Sequence, residues 1–105
     1  MTATEFSQFV TTLECEAMAL SERKRKDYAT ADILSNFKRM APAWSWQFRA
    51  DVAPADVAFA MAALKMDRLR NLRGRAEANE SIRDSMLDLV NYIRLALACM
   101  QEAAK

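Results

Sequence analysis

Histidine is absent from this chain of 105 residues, glycine occurs once, and proline and cysteine occur twice each. With so little glycine and proline there is almost no material for tight hairpin turns, so a β-rich fold is excluded. Without histidine, and with Cys15 and Cys99 far apart and in no CxxC spacing, neither a zinc site nor a secreted disulfide framework is expected. The two cysteines read instead as reduced thiols used as small apolar residues. No run approaches the roughly 18 continuous apolar residues of a membrane helix. The opening "MTATEFSQFV" lacks the basic and apolar regions of a signal peptide. Charge of one sign is missing too: 15 basic against 14 acidic side chains give a net charge of +1, which argues against nucleic acid or an anionic membrane as partner.

What is present is helical. Ala, Leu, Met, Arg, Lys and Glu dominate, all good helix formers. The expected fold is all-α, a single domain of four helices spanning residues 1–105. The first helix runs from about Thr4 to Lys26, with Phe6, Phe9, Val10, Leu13, Ala17 and Leu20 at core spacing. Thr2, three residues before Glu5, is a capping box. The second helix opens near Thr30 as N-cap, carries Ile33, Leu34, Phe37 and Met40, and is ended or kinked at Pro42. Residues 43–52 read as a short helical continuation that delivers Trp44, Trp46 and Phe48 to the core, followed by a loop. Pro54 opens the third helix, which runs to Leu72, and Gly74 supplies the left-handed residue of its C-terminal cap. "RGRAEAN" is a polar connection. Asn79 or Ser81 caps the fourth helix, which continues to about Ala103, and Ser81 with Asp84 could form a capping box.

The fourth helix poses the functional question. Ile82, Met86, Leu89, Val90, Ile93, Leu97 and Met100 make a broad apolar face. Glu80, Asp84, Asp88 and Asn91 lie roughly opposite. Such a stripe is either a solvated face, with acids complementing the helix dipole, or the wall of a pocket. Asp88 lies too far in to be a cap, and Leu87, Tyr92, Leu95 and Cys99 flank the stripe. A helix apolar on nearly every side is normally covered, by its own chain or by a second subunit, so a homodimer or larger homo-oligomer with this helix near the interface is expected. On the third helix, Met61, Leu64, Lys65, Arg68 and Leu72 share a face. Cations set in an apolar stripe need partners. Lys65 or Arg68 should therefore lie within ion-pair distance of Asp84 or Asp88, as a structural network or as opposed walls of a site for a phosphate-bearing ligand. "RKRKDY" (23–28) is a solvated helix end or, through Lys24, Asp27 and Tyr28, an approach to a nucleotide. Trp44 and Trp46, near Lys38 and Arg39, read as core residues rather than as base-stacking platforms.

The segments "KRKDYAT……NF" (24–37), "APADVAFAMAALKMDRLRNL" (53–72) and "ESIRDSMLDLVNYIRLAL" (80–97) carry the ordered pattern K-x-x-D-Y, N-F, K-x-x-R-L and E-S-x-x-D-x-x-x-D-L-x-x-Y. Over about residues 20–98 this resembles a group of small phage and prophage proteins. It is similar to the nucleotide-modification-associated domain and related phage domains of unknown function. More distantly it resembles the all-α nucleoside triphosphate pyrophosphohydrolases of the MazG type. The resemblance implies a MazG-like bundle in the cytoplasm of a bacterial host cell, encoded by phage or prophage. It implies a nucleotide or other phosphate-bearing ligand met by Lys24, Asp27, Tyr28, Asn36, Lys65, Arg68 and Tyr92, with Mg2+ on Glu80, Asp84 and Asp88. The pyrophosphohydrolases hold magnesium with an E-x-x-E pair and an E-x-x-D pair on successive helices. Here Ser81 stands where the second pair needs glutamate, Glu14, Glu16 and Glu22 have the wrong spacing for the first, and Lys65 and Arg68 occupy positions suited to acids. A nucleotide-binding protein with a reduced metal site, hydrolytic or not, is the resulting expectation. The rival is a helical interaction module that binds a host protein without catalysis.

Overall fold

The computed structural model describes the backbone of residues 1–28 and 31–105 and the side chains of 1–26 and 31–105. Among the described residues there are four α-helices, one 3-10 turn and no strand. The helices are α1 (Ala3–Tyr28), α2 (Ser35–Phe48), α3 (Pro54–Leu72) and α4 (Asn79–Ala103). Their punctuation follows from local chemistry. The Thr2 amide donates to Glu5 Oε2 at 2.7 Å and the Glu5 amide to Thr2 Oγ1 at 3.1 Å, the reciprocal capping box expected there. Pro54 opens α3 as its first residue, and the Asp56 carboxylate accepts the Ala53 amide at 2.8 Å. Gly74, at φ 81°, supplies the left-handed turn just past α3.

The ends of α2 and α4 differ in part from expectation. The Thr30 cap lies outside the described residues, and α2 itself opens at Ser35. Asp32 prepares that start: its carboxylate accepts the Leu34 amide at 2.9 Å and its carbonyl the Ser35 amide at 3.1 Å. Pro42 does not end α2, which runs on to Phe48 and closes with Arg49 in the left-handed region at φ 52°. The proline is exposed, so the carbonyl that loses its amide partner is on a turn open to solvent. Neither Asn79 nor Ser81 caps α4. The 3-10 turn Ala76–Ala78 leads straight into it, Ala78 takes the capping position without a side-chain bond, and Ser81 is already in the first turn.

The faces that pack are also not the bulkiest ones. The core joins Leu34, Phe37 and Ala41 of α2 and its approach, Val57 and Ala58 of α3, and Ala96 and Cys99 of α4. α3 and α4 pack against each other most extensively, and alanines at Ala58, Ala62 and Ala96 bring their backbones close. That choice rotates α4 away from the expected face, leaving Ile93, Leu97 and Met100 exposed. It rotates α3 likewise, so that Leu64 and Arg68 point outward while Lys65 stays half-buried. Among the described side chains of α1 only Ala17 is fully buried; Phe6 and Phe9 are exposed rather than core. Trp44 reaches the core edge, whereas Trp46, 84% exposed, and Phe48 do not. Both cysteines are free, Cys99 buried and Cys15 exposed. No helix among the described residues is long and apolar enough to cross a membrane.

This packing makes alanine the intolerant residue type. Ala96→Leu forces extra methylenes into a closed helix–helix seam and should destabilise the protein by roughly 1–3 kcal/mol. Trp46→Ala, on the surface, should change stability by no more than about 0.5 kcal/mol. Urea unfolding of the two variants checks both, and equal losses would contradict the packing described.

Candidate functional site: a pocket closed by a shared carboxylate

Asp88 sits near the middle of α4, one turn before Tyr92 and two before Leu95. At that point α1 and α3 both come within reach. Lys24 Nζ of α1 donates to Asp88 Oδ1 at 2.8 Å, and Lys65 Nζ of α3 lies 3.1 Å from Oδ2. The Asp88 side chain is 14% exposed, against 46% for Lys24 and 31% for Lys65. A carboxylate this far out of water needs cationic partners, and it has one on each oxygen. Burial works against its charge, but hydrogen bonds from Lys24 and then Lys65 outweigh burial and hold the carboxyl below the usual carboxylate range. The expected pairing of α3 with α4 is thus present through Lys65. Arg68, turned outward, makes no ion pair among the described residues.

Next to this triad is a cavity of about 320 Å3. α1 supplies Ser21, Lys24 and Arg25; α2 and the residues leading into it supply Ile33, Ser35, Asn36, Phe37 and Met40. Met61 comes from α3, and Asp88, Asn91, Tyr92 and Leu95 from one face of α4. The spacing explains the last group: steps of three, four and seven residues lie on one helical stripe. Phe37 and Tyr92 meet edge to face with ring centroids 6.5 Å apart, which fixes the aromatic wall. Asn36 is oriented by Arg39, whose Nη2 donates to Asn36 Oδ1 at 3.0 Å. The cavity is therefore apolar on one side and cationic at one corner, where Lys24 and Arg25 stand.

Of the residues singled out in the sequence, the fold brings Lys24, Asn36, Asp88 and Tyr92 to this cavity, with Lys65 behind Asp88. The side chains of Asp27 and Tyr28 lie outside the described residues. Glu80 and Asp84 are exposed and, like Arg68, do not line the cavity. Among the described residues no group of three or more His, Cys, Asp or Glu is gathered as a metal site. Sequence reasoning missed the floor: Phe37, Met40 and Leu95 look like ordinary core positions, and only the neighbouring motif residues signal that they border a cavity.

Peripheral ion pairs fasten the surrounding helices. Arg83 reaches Glu16 through Nε at 2.9 Å, and Arg94 pairs with Glu14 at 3.2 Å, so α1 is held to α4 on both sides of its crossing. Lys38 bridges Asp32 and Glu102, tying the start of α2 to the end of α4; the hydrogen bond from Lys38 lowers the Asp32 carboxyl, with a smaller contribution from the Leu34 amide.

A family model for a domain of unknown function, DUF6378, matches residues 12–100. No curated protein and no solved structure matches the chain.

Asp88→Asn should lower stability at neutral pH by roughly 1.5–3 kcal/mol, because two ammonium groups lose a charged acceptor. The sign of its pH dependence follows from the lowered native pKa. The contribution is complete above the unfolded carboxyl value of about 3.9 and disappears as pH falls through the lower native one. Denaturation of both proteins at pH 7 and near pH 3 should show the gap closing in acid; a gap independent of pH would refute the ion-pair account.

Proposed function

This chain belongs to the DUF6378 family, a domain of unknown function matched over residues 12–100, and we propose that it binds a nucleotide, or a similar phosphate-bearing small molecule, in the cavity beside Asp88. The observation that carries the reading is convergence. Lys24, Asn36, Asp88 and Tyr92 come from three helices and three motifs, and they line one cavity. Its two-sided chemistry suits such a ligand. Phe37, Tyr92 and Met40 offer an apolar, aromatic wall to a base, and Lys24 and Arg25 offer charge to a phosphate. At about 320 Å3 the cavity lies within the roughly 300–1,000 Å3 of small-molecule sites. The resemblance to phage nucleotide-metabolism domains supports the same ligand class and a role in phage or prophage nucleotide metabolism. The reading is one of binding; hydrolysis would need a group that activates water.

A ligand that binds only the folded state raises the melting temperature. A thermal-shift screen of nucleosides and nucleotides, with and without magnesium, should give a concentration-dependent rise for at least one nucleotide, reduced by Tyr92→Ala. No nucleotide-dependent shift under any condition would overturn the reading.

A separate observation favours self-association. Ile93, Leu97 and Met100 on α4, and Phe6 and Phe9 on α1, are large, exposed and at helical spacing. Covering them with a second copy removes two apolar faces from water at once. Sedimentation should give a mass of at least twice 11.9 kDa, reverting to monomer in Leu97→Glu. A monomer at high micromolar concentration would overturn the dimer and favour the rival interaction module, with these faces docking another protein.

A further inference from the structure

We infer that the pocket takes its anionic ligand without a divalent metal, and that the ligand class is a phosphate monoester such as a nucleoside monophosphate rather than a metal-bound triphosphate. The inference rests on the nucleotide reading above and narrows it. It departs from the magnesium expected on Glu80, Asp84 and Asp88.

The donor set is the first ground. Magnesium at a nucleotide site is normally held by one or two carboxylates together with the phosphates. Asp88 is the one carboxylate among the described residues lining the cavity, and both of its oxygens are already engaged, by Lys24 and by Lys65. A cation entering there would sit against the two ammonium groups already placed on those oxygens. Asp84 and Glu80, one and two turns toward the start of α4, do not reach the cavity.

Charge and size are the second ground. Lys24, Arg25 and Lys65 against Asp88 leave the described groups at this corner with a net charge of two positive. A phosphate monoester carries about −1.5 to −2 at pH 7, so the corner neutralises one such group. A triphosphate brings more negative charge than these groups offset, which is why it usually enters a site with magnesium. The volume of about 320 Å3 is at the lower end of small-molecule sites. Phe37, Met40, Met61 and Leu95 border it with apolar surface that offers nothing to a phosphate chain. Arg25 is the specific anchor: it borders the cavity, is exposed, and makes no ion pair among the described residues.

The test is calorimetric titration of the full chain with nucleoside 5′-monophosphates, the matching triphosphates and the phosphate-free nucleosides, each in EDTA and in excess magnesium. The expected result is monophosphate binding that is the same in EDTA and magnesium and at least about tenfold tighter than that of the matching nucleoside and triphosphate. Arg25→Gln should weaken the monophosphate by roughly tenfold while leaving the nucleoside unchanged, since only a charge-assisted contact is removed. Triphosphate binding that requires magnesium would overturn this inference and leave the nucleotide reading standing. Nucleoside binding indifferent to phosphate would overturn it as well. No binding by any of the probes would overturn the nucleotide reading itself, and this inference with it. The melting temperature of Arg25→Gln without ligand, expected to match the unaltered protein because the residue is exposed, separates lost contact from lost fold.

Discussion

A carboxylate drawn partly out of water must be met by cations, and in this protein that demand organises three of the four helices. Asp88 is fixed by its place on α4, and it is satisfied only if α1 presents Lys24 and α3 presents Lys65 at the same depth. α3 would pack on α4 without this contact, through the alanine seam. The case of α1 is different. Among its described side chains only Ala17 is completely buried, so Lys24 with Asp88 and the arginine–glutamate pairs at Glu14 and Glu16 help to align it over α4. Exposed pairs such as those two contribute little individually. The half-buried one contributes more, and it also sets the edge of the cavity.

The start of α1 and both ends of α3 were legible because each is written in a short, local code. Thr2 with Glu5, Pro54 at the head of α3, and Gly74 beyond its end all act through backbone groups within a few residues. Helix faces were much less legible. α4 is apolar around most of its circumference, so a period of 3.6 does not say which side turns inward. Bulk is a misleading guide here, since a close helix–helix approach selects Ala58, Ala62 and Ala96 and leaves Ile93, Leu97 and Met100 outside. The same error placed Trp46 and Phe48 in the core. At Pro42, where an end or a kink was expected, α2 runs on: one missing hydrogen bond on a solvent-facing turn does not outweigh the packing of Ala41 and Trp44 on either side of it.

For the candidate site, the legible part was the part with an electrostatic cost. A lysine set in an apolar stripe and an aspartate too deep in its helix to be a cap each require a partner, and Lys65 and Asp88 are each other's. Arg68 carries the same charge only three residues on, but the outward rotation of α3 removes the constraint that made it informative. Asp84 lies one turn before Asp88, where neither α1 nor α3 covers it, and so remains a solvated acid. The cavity itself could not be read from the sequence. Phe37, Met40 and Leu95 have core composition whether they meet side chains or empty space.

The fold and the proposed ligand would draw on Asp88 in opposite senses. For the fold, the carboxylate allows two ammonium groups to approach one another between helices without the repulsion that would otherwise separate α1 from α3. For an anionic ligand, the same carboxylate subtracts from the positive charge that Lys24 and Arg25 present at the cavity. The described groups at the corner keep a net positive charge, which suits the single phosphate proposed above. The carboxylate that secures the helices thus also sets how positive that corner of the pocket is.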